Sequence, residues 1–152
     1  MAIRRLLHHT TQPYMQKGIQ RKDFAKLEQT HIEHFRSILS PKAVVDDPER
    51  LEMHNYCWRR LDQGNSSLLL CPSNTQEVSK ILSYCNQNRL AVVPQGGNTG
   101  LVGGSVPVFD EIILNLQNMN KIEKVNEVTS IVTCESGVIL EKLNEFLEPY
   151  GL

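Results

Sequence analysis

Five of the nine glycines in this chain fall between Gly96 and Gly104, directly after the apolar run Leu90-Ala91-Val92-Val93. Neither a helix nor a strand continues well through Gly96-Gly97-Asn98-Thr99-Gly100-Leu101-Val102-Gly103-Gly104-Ser105, because glycine weakens both and offers no side-chain face to bury. The stretch must instead be a loop that closes a strand. Lacking Cβ atoms and free to take positive φ, such a loop can turn successive N–H groups toward one centre, forming a cup for an anion such as a diphosphate. Taken by themselves, the same residues also suit a plain surface turn.

Two familiar phosphate loops do not match. A P-loop requires Lys-Ser/Thr after its last glycine, and no Lys follows Gly100, Gly103 or Gly104. A dinucleotide fingerprint G-x-G-x-x-G opens a helix, whereas Asn98, Thr99, a second Gly pair and Pro107 occupy the equivalent stretch here.

The surroundings of the loop are periodic. Leu68 to Cys71 reads as a short buried strand limited by Pro72. Asn74-Thr75-Gln76-Glu77 then caps a helix whose Val78, Ile81, Leu82 and Cys85 form one stripe, and Asn86-Gln87-Asn88 ends it. Leu90 to Pro94 is the next strand. This spacing predicts a right-handed βαβ crossover with the glycine loop at the carboxyl end of its second strand, where open α/β sheets bind ligands. Further on, Ile112 to Leu116 and Thr129 to Cys134 read as strands, with a short one at Ile122 to Val125. Val138-Ile139-Leu140, Leu143, Phe146 and Leu147 make a final amphipathic helix before Pro149. The class is α+β (α/β) in one compact unit.

Upstream, Thr30-His31-Ile32-Glu33 has the form of a capping box, and Ser40-Pro41 ends the helix that follows. Asp46-Asp47-Pro48-Glu49 places Pro and acids at a second helix start. Trp58 is expected to anchor the next segment on the core. His31 and His34 share a helix face but lack further ligands, so solvated histidines are expected rather than a metal site; His54 stands alone. Cys71, Cys85 and Cys134 read as buried small hydrophobes with reduced thiols, and Cys57 is the least determined.

Charge is uneven. Residues 1–22 hold Arg4, Arg5, Lys17, Arg21 and Lys22 and no acid, while the rest carries 11 basic against 17 acidic residues. A basic, acid-free start reads as a mitochondrial transit peptide, outside the fold. A net charge of −1 argues against a nucleic-acid partner. The longest apolar runs are too short for a transmembrane segment.

The string Pro94-Gln95-Gly96-Gly97-Asn98-Thr99-Gly100, continued by Gly103-Gly104-Ser105-Val106-Pro107-Val108-Phe109-Asp110-Glu111, resembles the flavin-binding domain of FAD-linked 2-hydroxyacid dehydrogenases, and within them the D-2-hydroxyglutarate dehydrogenase branch. The resemblance runs from about Ile38 to the end. It implies the first part of a PCMH/vanillyl-alcohol-oxidase-type FAD-binding domain, truncated, with a transit peptide at 1–22, a helical lead-in at 23–64 and the partial domain at 65–152. It also implies noncovalent FAD held by Pro94, Gln95, Gly96, Gly97, Asn98, Thr99, Gly100, Leu101, Gly104 and Ser105, with Gln95 reaching either phosphate or flavin. Glu135-Ser136-Gly137-Val138 resembles a second contact segment, and Ser136 equally suits a helix cap. One departure stands at Cys57, where the family usually carries Asp before Trp58.

The resemblance implies oxidation of a D-2-hydroxy acid, D-2-hydroxyglutarate to 2-oxoglutarate, with electrons passed to an electron-transfer flavoprotein or quinone in the mitochondrial matrix. The family's catalytic base, substrate arginines and metal ligands lie in later domains, so no catalytic or metal residue is assigned and the chain alone is expected to be inactive. The alternatives are a D-lactate or glycolate dehydrogenase relative, or a non-enzymatic truncated product.

Overall fold

A computed structural model describes residues 18–151. Most of the basic leader therefore lies outside the described residues. Arg21, near its end, is held on the folded body: its Nε donates to Asp110 Oδ1 at 2.6 Å, which raises the guanidinium pKa further above its ordinary value.

The core is a four-stranded sheet with helices packed on it. Helix α1 is Gln29–Ile38, β1 Val44–Val45, α2 Pro48–Asn55, β2 Leu69–Leu70, α3 Thr75–Gln87, β3 Val92–Gln95 and β4 Ile112–Asn115. The strand order is β1-β2-β4-β3, with β1 antiparallel to β2 and the other pairs parallel. The expected strand–helix–strand unit is present as β2, α3 and β3, but β2 and β3 are not neighbours. Strand β4 lies between them and pairs with both. Sixteen residues, 96–111, join β3 to β4 and contain the whole glycine loop. Because β3 is an edge strand, Pro94 can occupy it without interrupting a ladder on its outer side.

Burial explains the order. Every residue of β1, β2 and β4 is buried, as expected for strands covered on both faces. Phe35 of α1 and Ile81 and Cys85 of α3 pack with Val45, Leu68, Leu70 and Ile113 in one core. The lead-in at 23–64 is thus part of the same core and contributes β1 as well as helices.

Local caps at two helices behave as their residues dictate. Asp47 accepts from Arg50 N–H at 2.9 Å with Pro48 opening α2, and Asn74 accepts from Glu77 N–H at 2.9 Å at the head of α3. The capping box at Thr30 does not form. Helix α1 starts at Gln29 after Glu28 with no side-chain cap, and Thr30 lies inside it. Upstream, Ala25 N–H donates to Arg89 O and Leu27 packs on the core, so tertiary contacts set where this helix begins.

Three further expectations are corrected. Trp58 is 66% exposed and anchors nothing. His31 and His34 are not free in solvent: His34 stacks on Tyr84 at 3.7 Å and His31 Nδ1 lies 3.0 Å from the Tyr84 hydroxyl, joining α1 to α3. Cys134 is exposed, whereas Cys57, Cys71 and Cys85 are buried and all four thiols are free.

The exposed cysteine belongs to a second, two-stranded sheet, the antiparallel hairpin β5 (Ile122–Asn126) and β6 (Ile131–Cys134), followed by α4 (Leu140–Leu147). Helix α4 has the expected apolar stripe but fully buries none of it; Leu140 and Phe146 are exposed, as is Ile131 of the hairpin. Ser136 does not cap it; the residue before its first turn is Ile139, which has no side-chain bond to the helix.

Candidate functional site

The glycine loop leaves the carboxyl end of β3 beside the end of α2, and between them lies a cleft of about 320 Å³. Gly96, Gly97 and Asn98 form one wall; Tyr56, Trp58 and Arg60 form the other. The opposing wall is held in a tight loop. Buried Asn55, at the end of α2, accepts from Ser66 N–H at 2.7 Å and donates to Ser66 O at 3.0 Å, as a strand neighbour would. Inside that loop Cys57 N–H donates to Asp62 O at 3.0 Å, and Asp62 N–H donates to Cys57 Sγ at 3.3 Å. The sulfur therefore accepts the backbone bond that a carboxylate could take at this position, although it is a weaker acceptor.

Asn98 links the two walls. It is one of four non-glycine residues with positive φ among the described residues, at 55°, a conformation Asn tolerates better than most. Its Nδ2 donates to Tyr56 O at 2.8 Å and its Oδ1 accepts from Ser105 Oγ at 2.7 Å. The two halves of the loop are thereby pinned to each other and to the far wall.

Gln95 sits beneath. It is 1% exposed, and its amide is fully engaged. Nε2 donates to His54 O at 3.0 Å and Ser105 O at 2.9 Å, while Oε1 accepts from Asn115 Nδ2 at 3.1 Å and lies 2.6 Å from His54 Nδ1. Gln95 thus shapes the loop from below, and nothing in its amide is left to reach a phosphate.

The glycines themselves show why the loop is built this way. Only Gly103 among the five has positive φ, at 69°. A Cβ added at Gly96, Gly100 or Gly104 would meet nothing within 4 Å, and at Gly97 only Thr99 Cγ2 at 3.9 Å. Neither backbone conformation nor internal packing requires glycine at these four positions. They line an open surface that a bound group can approach closely. The open backbone of Gly96 and Gly97, on a cleft that Arg60 also lines, suits an anionic group such as the diphosphate of FAD.

The Arg60 guanidinium lies over the Tyr56 ring, 5.5 Å from its centroid. Thr99, Gly100 and Leu101 are exposed at the loop's outer turn, Pro94 is exposed on β3, and Ser105 is half-buried. The structure brings Gly96, Gly97 and Asn98 to the cleft wall; Leu101 and Gly104 lie on the loop but not on that wall.

A second cleft of about 490 Å³ adjoins the first, shares Met53, His54 and Gln117 with it, and contains Lys42, Arg50 and Cys71. Burial raises the Cys71 thiol pKa, against a lowering by Gln117 and by the Arg50 charge. Sequence reasoning missed His54, Tyr56 and Arg60. Their signal is only proximity to Trp58, because the hydrogen bonds that bring His54 and Tyr56 to the loop span 40 or more residues. Among the described residues no cluster of three or more His, Cys, Asp or Glu could hold a metal, and no helix is long and apolar enough to cross a membrane.

The match to known proteins agrees with this geometry. Residues 66–152 match the family model described as FAD binding domain. The chain is 56% identical over 128 residues to the mitochondrial D-2-hydroxyglutarate dehydrogenase of Arabidopsis thaliana, covering 84% of this chain and 23% of that protein. It is 48% identical over 128 residues to the mitochondrial D-2-hydroxyglutarate dehydrogenase of Danio rerio, covering 84% and 24%. With the D-2-hydroxyglutarate–pyruvate transhydrogenase of Saccharomyces cerevisiae it shares 45% identity over 130 residues, covering 84% and 26%. The chain spans about a quarter of the length of these curated relatives.

Among solved structures, alkyldihydroxyacetonephosphate synthase superposes with a TM-score of 0.73 at 19% identity, covering 89% of this chain and 27% of that one. Substrate-bound p-cresol methylhydroxylase superposes with a TM-score of 0.70 at 22% identity, covering 81% and 25%. The glycine loop, its place at the end of a parallel strand and these matches lead to one conclusion: the chain belongs to the FAD binding domain family, has the PCMH-type fold, and takes FAD as its cofactor.

Proposed function

We propose that this chain is the flavin-binding portion of an FAD-dependent D-2-hydroxyacid dehydrogenase that oxidises D-2-hydroxyglutarate to 2-oxoglutarate. The observation that carries the reading is the set of loop glycines with open space where a Cβ would stand. Bound FAD supplies the acceptor for the hydride of the hydroxy acid.

In this reading Pro94, Gln95, Gly96, Gly97, Asn98, Thr99, Gly100, Leu101, Gly104 and Ser105 form the cofactor-binding loop. The backbone of Gly96 and Gly97 approaches the pyrophosphate, and the exposed Thr99 hydroxyl adds a donor. Asn98, Gln95 and Ser105 act through the bonds among themselves, holding the loop open before the cofactor arrives. Arg60 brings positive charge to the opposite wall. The names of the relatives support D-2-hydroxyglutarate as substrate, and the yeast relative's name adds pyruvate as a second acceptor beside an electron-transfer flavoprotein or quinone. The same names and the basic leader support a mitochondrial address; the matrix is part of the proposal.

The test is the visible spectrum of the full 152-residue chain after addition of FAD and desalting. A retained flavin band in the wild type, lost in Gly97→Val while the variant stays folded, is the expected result. Equal flavin content in the two proteins would remove the loop from the site. Import of a chain lacking residues 1–22 would place the targeting signal elsewhere.

A further inference from the structure

His54 lies on the wall of both clefts, and its hydrogen bonds determine its tautomer. Gln95 Nε2 faces two backbone carbonyls, those of His54 and Ser105, so the amide nitrogen must be on that side. Gln95 Oε1 is then the atom facing His54 Nδ1, and it also accepts from Asn115 Nδ2. Asn115 is oriented in turn by backbone partners, with Nδ2 donating to Gly96 O and Oδ1 accepting from Gln117 N–H. An acceptor at 2.6 Å from Nδ1 requires a proton on Nδ1. In the neutral ring Nε2 is therefore bare. It makes no hydrogen bond among the described residues, and since none of their buried side-chain nitrogens or oxygens is left without a partner, Nε2 is accessible to an incoming group.

We propose that His54 is a flavin-nucleotide ligand, locked as the Nδ1–H tautomer, whose Nε2 accepts a hydrogen bond from a hydroxyl or imide N–H of the nucleotide where the two clefts meet. This rests on the flavin reading above. The chemistry is selective. A bare Nε2 repels phosphate oxygens, which only accept, and welcomes a donor. The neighbouring clefts supply cationic side chains instead: Arg60 beside the glycine loop in one, Lys42 and Arg50 in the other. His54 would thus orient the nucleotide, keeping the pyrophosphate at the glycines and a hydroxyl-bearing or imide portion at Nε2.

The experiment uses the full chain, wild type and His54→Asn, with FAD as probe. Asparagine places an amide N–H near the position of Nδ1, retaining the bond to Gln95, and removes Nε2. The variant should fold as the wild type and bind FAD about five- to tenfold more weakly, the loss of one neutral hydrogen bond. Nitrogen-15 spectra of the wild-type histidine rings provide a readout independent of folding in the variant. His54 should show Nδ1 protonated and Nε2 bare in the free chain, with an unchanged tautomer and a perturbed Nε2 when FAD is bound. An Nε2–H tautomer in the free chain, an imidazolium in the complex (a phosphate contact instead), an unperturbed Nε2, or unchanged affinity in His54→Asn would each overturn the inference while leaving the flavin reading intact. A wild-type chain that binds no FAD would overturn that reading, and this inference with it.

Discussion

Gly64 and Gly137 are glycines of one kind; Gly96, Gly97, Gly100 and Gly104 are of another. A Cβ at Gly64 would lie 2.5 Å from Pro107 O, and one at Gly137 would overlap Leu116 O and sit 2.7 Å from Met119 O. Backbone occupies the space a side chain needs, so the fold itself demands glycine. Around the loop glycines that space is empty. The difference is that the fold accounts for the first kind, while the second leaves the loop backbone open to close approach from outside the chain.

The strongest way to break this comparison is to fill the packed sites. Gly137→Ala should destabilise the protein by about 2–4 kcal/mol, because two backbone carbonyls must move, and Gly64→Ala by about 1–3 kcal/mol. Urea midpoints measure both; values equal to wild type would mean that these junctions are not tightly packed. Asn98→Ala comes next. It removes the bonds to Tyr56 O and Ser105 Oγ and leaves Ala at positive φ, for an expected loss of about 1–2 kcal/mol together with weaker FAD binding. An unchanged midpoint would show that the two walls are positioned without it.

Smaller effects, of opposite sign, are expected in the loop. Gly100→Ala should raise stability by about 0.4–1 kcal/mol, since Ala fits the space and narrows the unfolded ensemble, yet flavin retention should fall. Destabilisation there would reveal an internal cause for the glycine. The contrast between packed and open regions can also be sharpened with thiols. Burial pushes the Cys85 pKa up to about 11, so at pH 8 its thiolate is scarce, and Cys134 on the exposed hairpin should react with a disulfide reagent first. Reaction of Cys85 at the rate of Cys134 would mean that the α3 face opens readily.

What could be read along the chain was whatever short-range chemistry controls. Asp47-Pro48 and Asn74 bond to N–H groups three residues away, so their helix starts were legible as residue types. Buried strands announced themselves as apolar runs at β2 and β4, and the glycine density located the loop. Where a helix start depended on docking, as at Gln29, the local capping signal misled. Trp58 was expected to anchor the next segment on the core, but it lines the cleft and is exposed.

By itself, then, the sequence determined most of the elements, the position of the glycine loop directly after a strand and the family to which the loop belongs. Each of these follows from contacts or patterns within a few residues. The tertiary structure alone decided that β4 inserts between β2 and β3, that Asn98 reaches Tyr56, and that Gln95 turns inward to bind His54. The last two pairs are more than 40 residues apart in sequence. Side chains so distant meet only when packing of the sheet sets both backbones in place, and no local propensity carries that information.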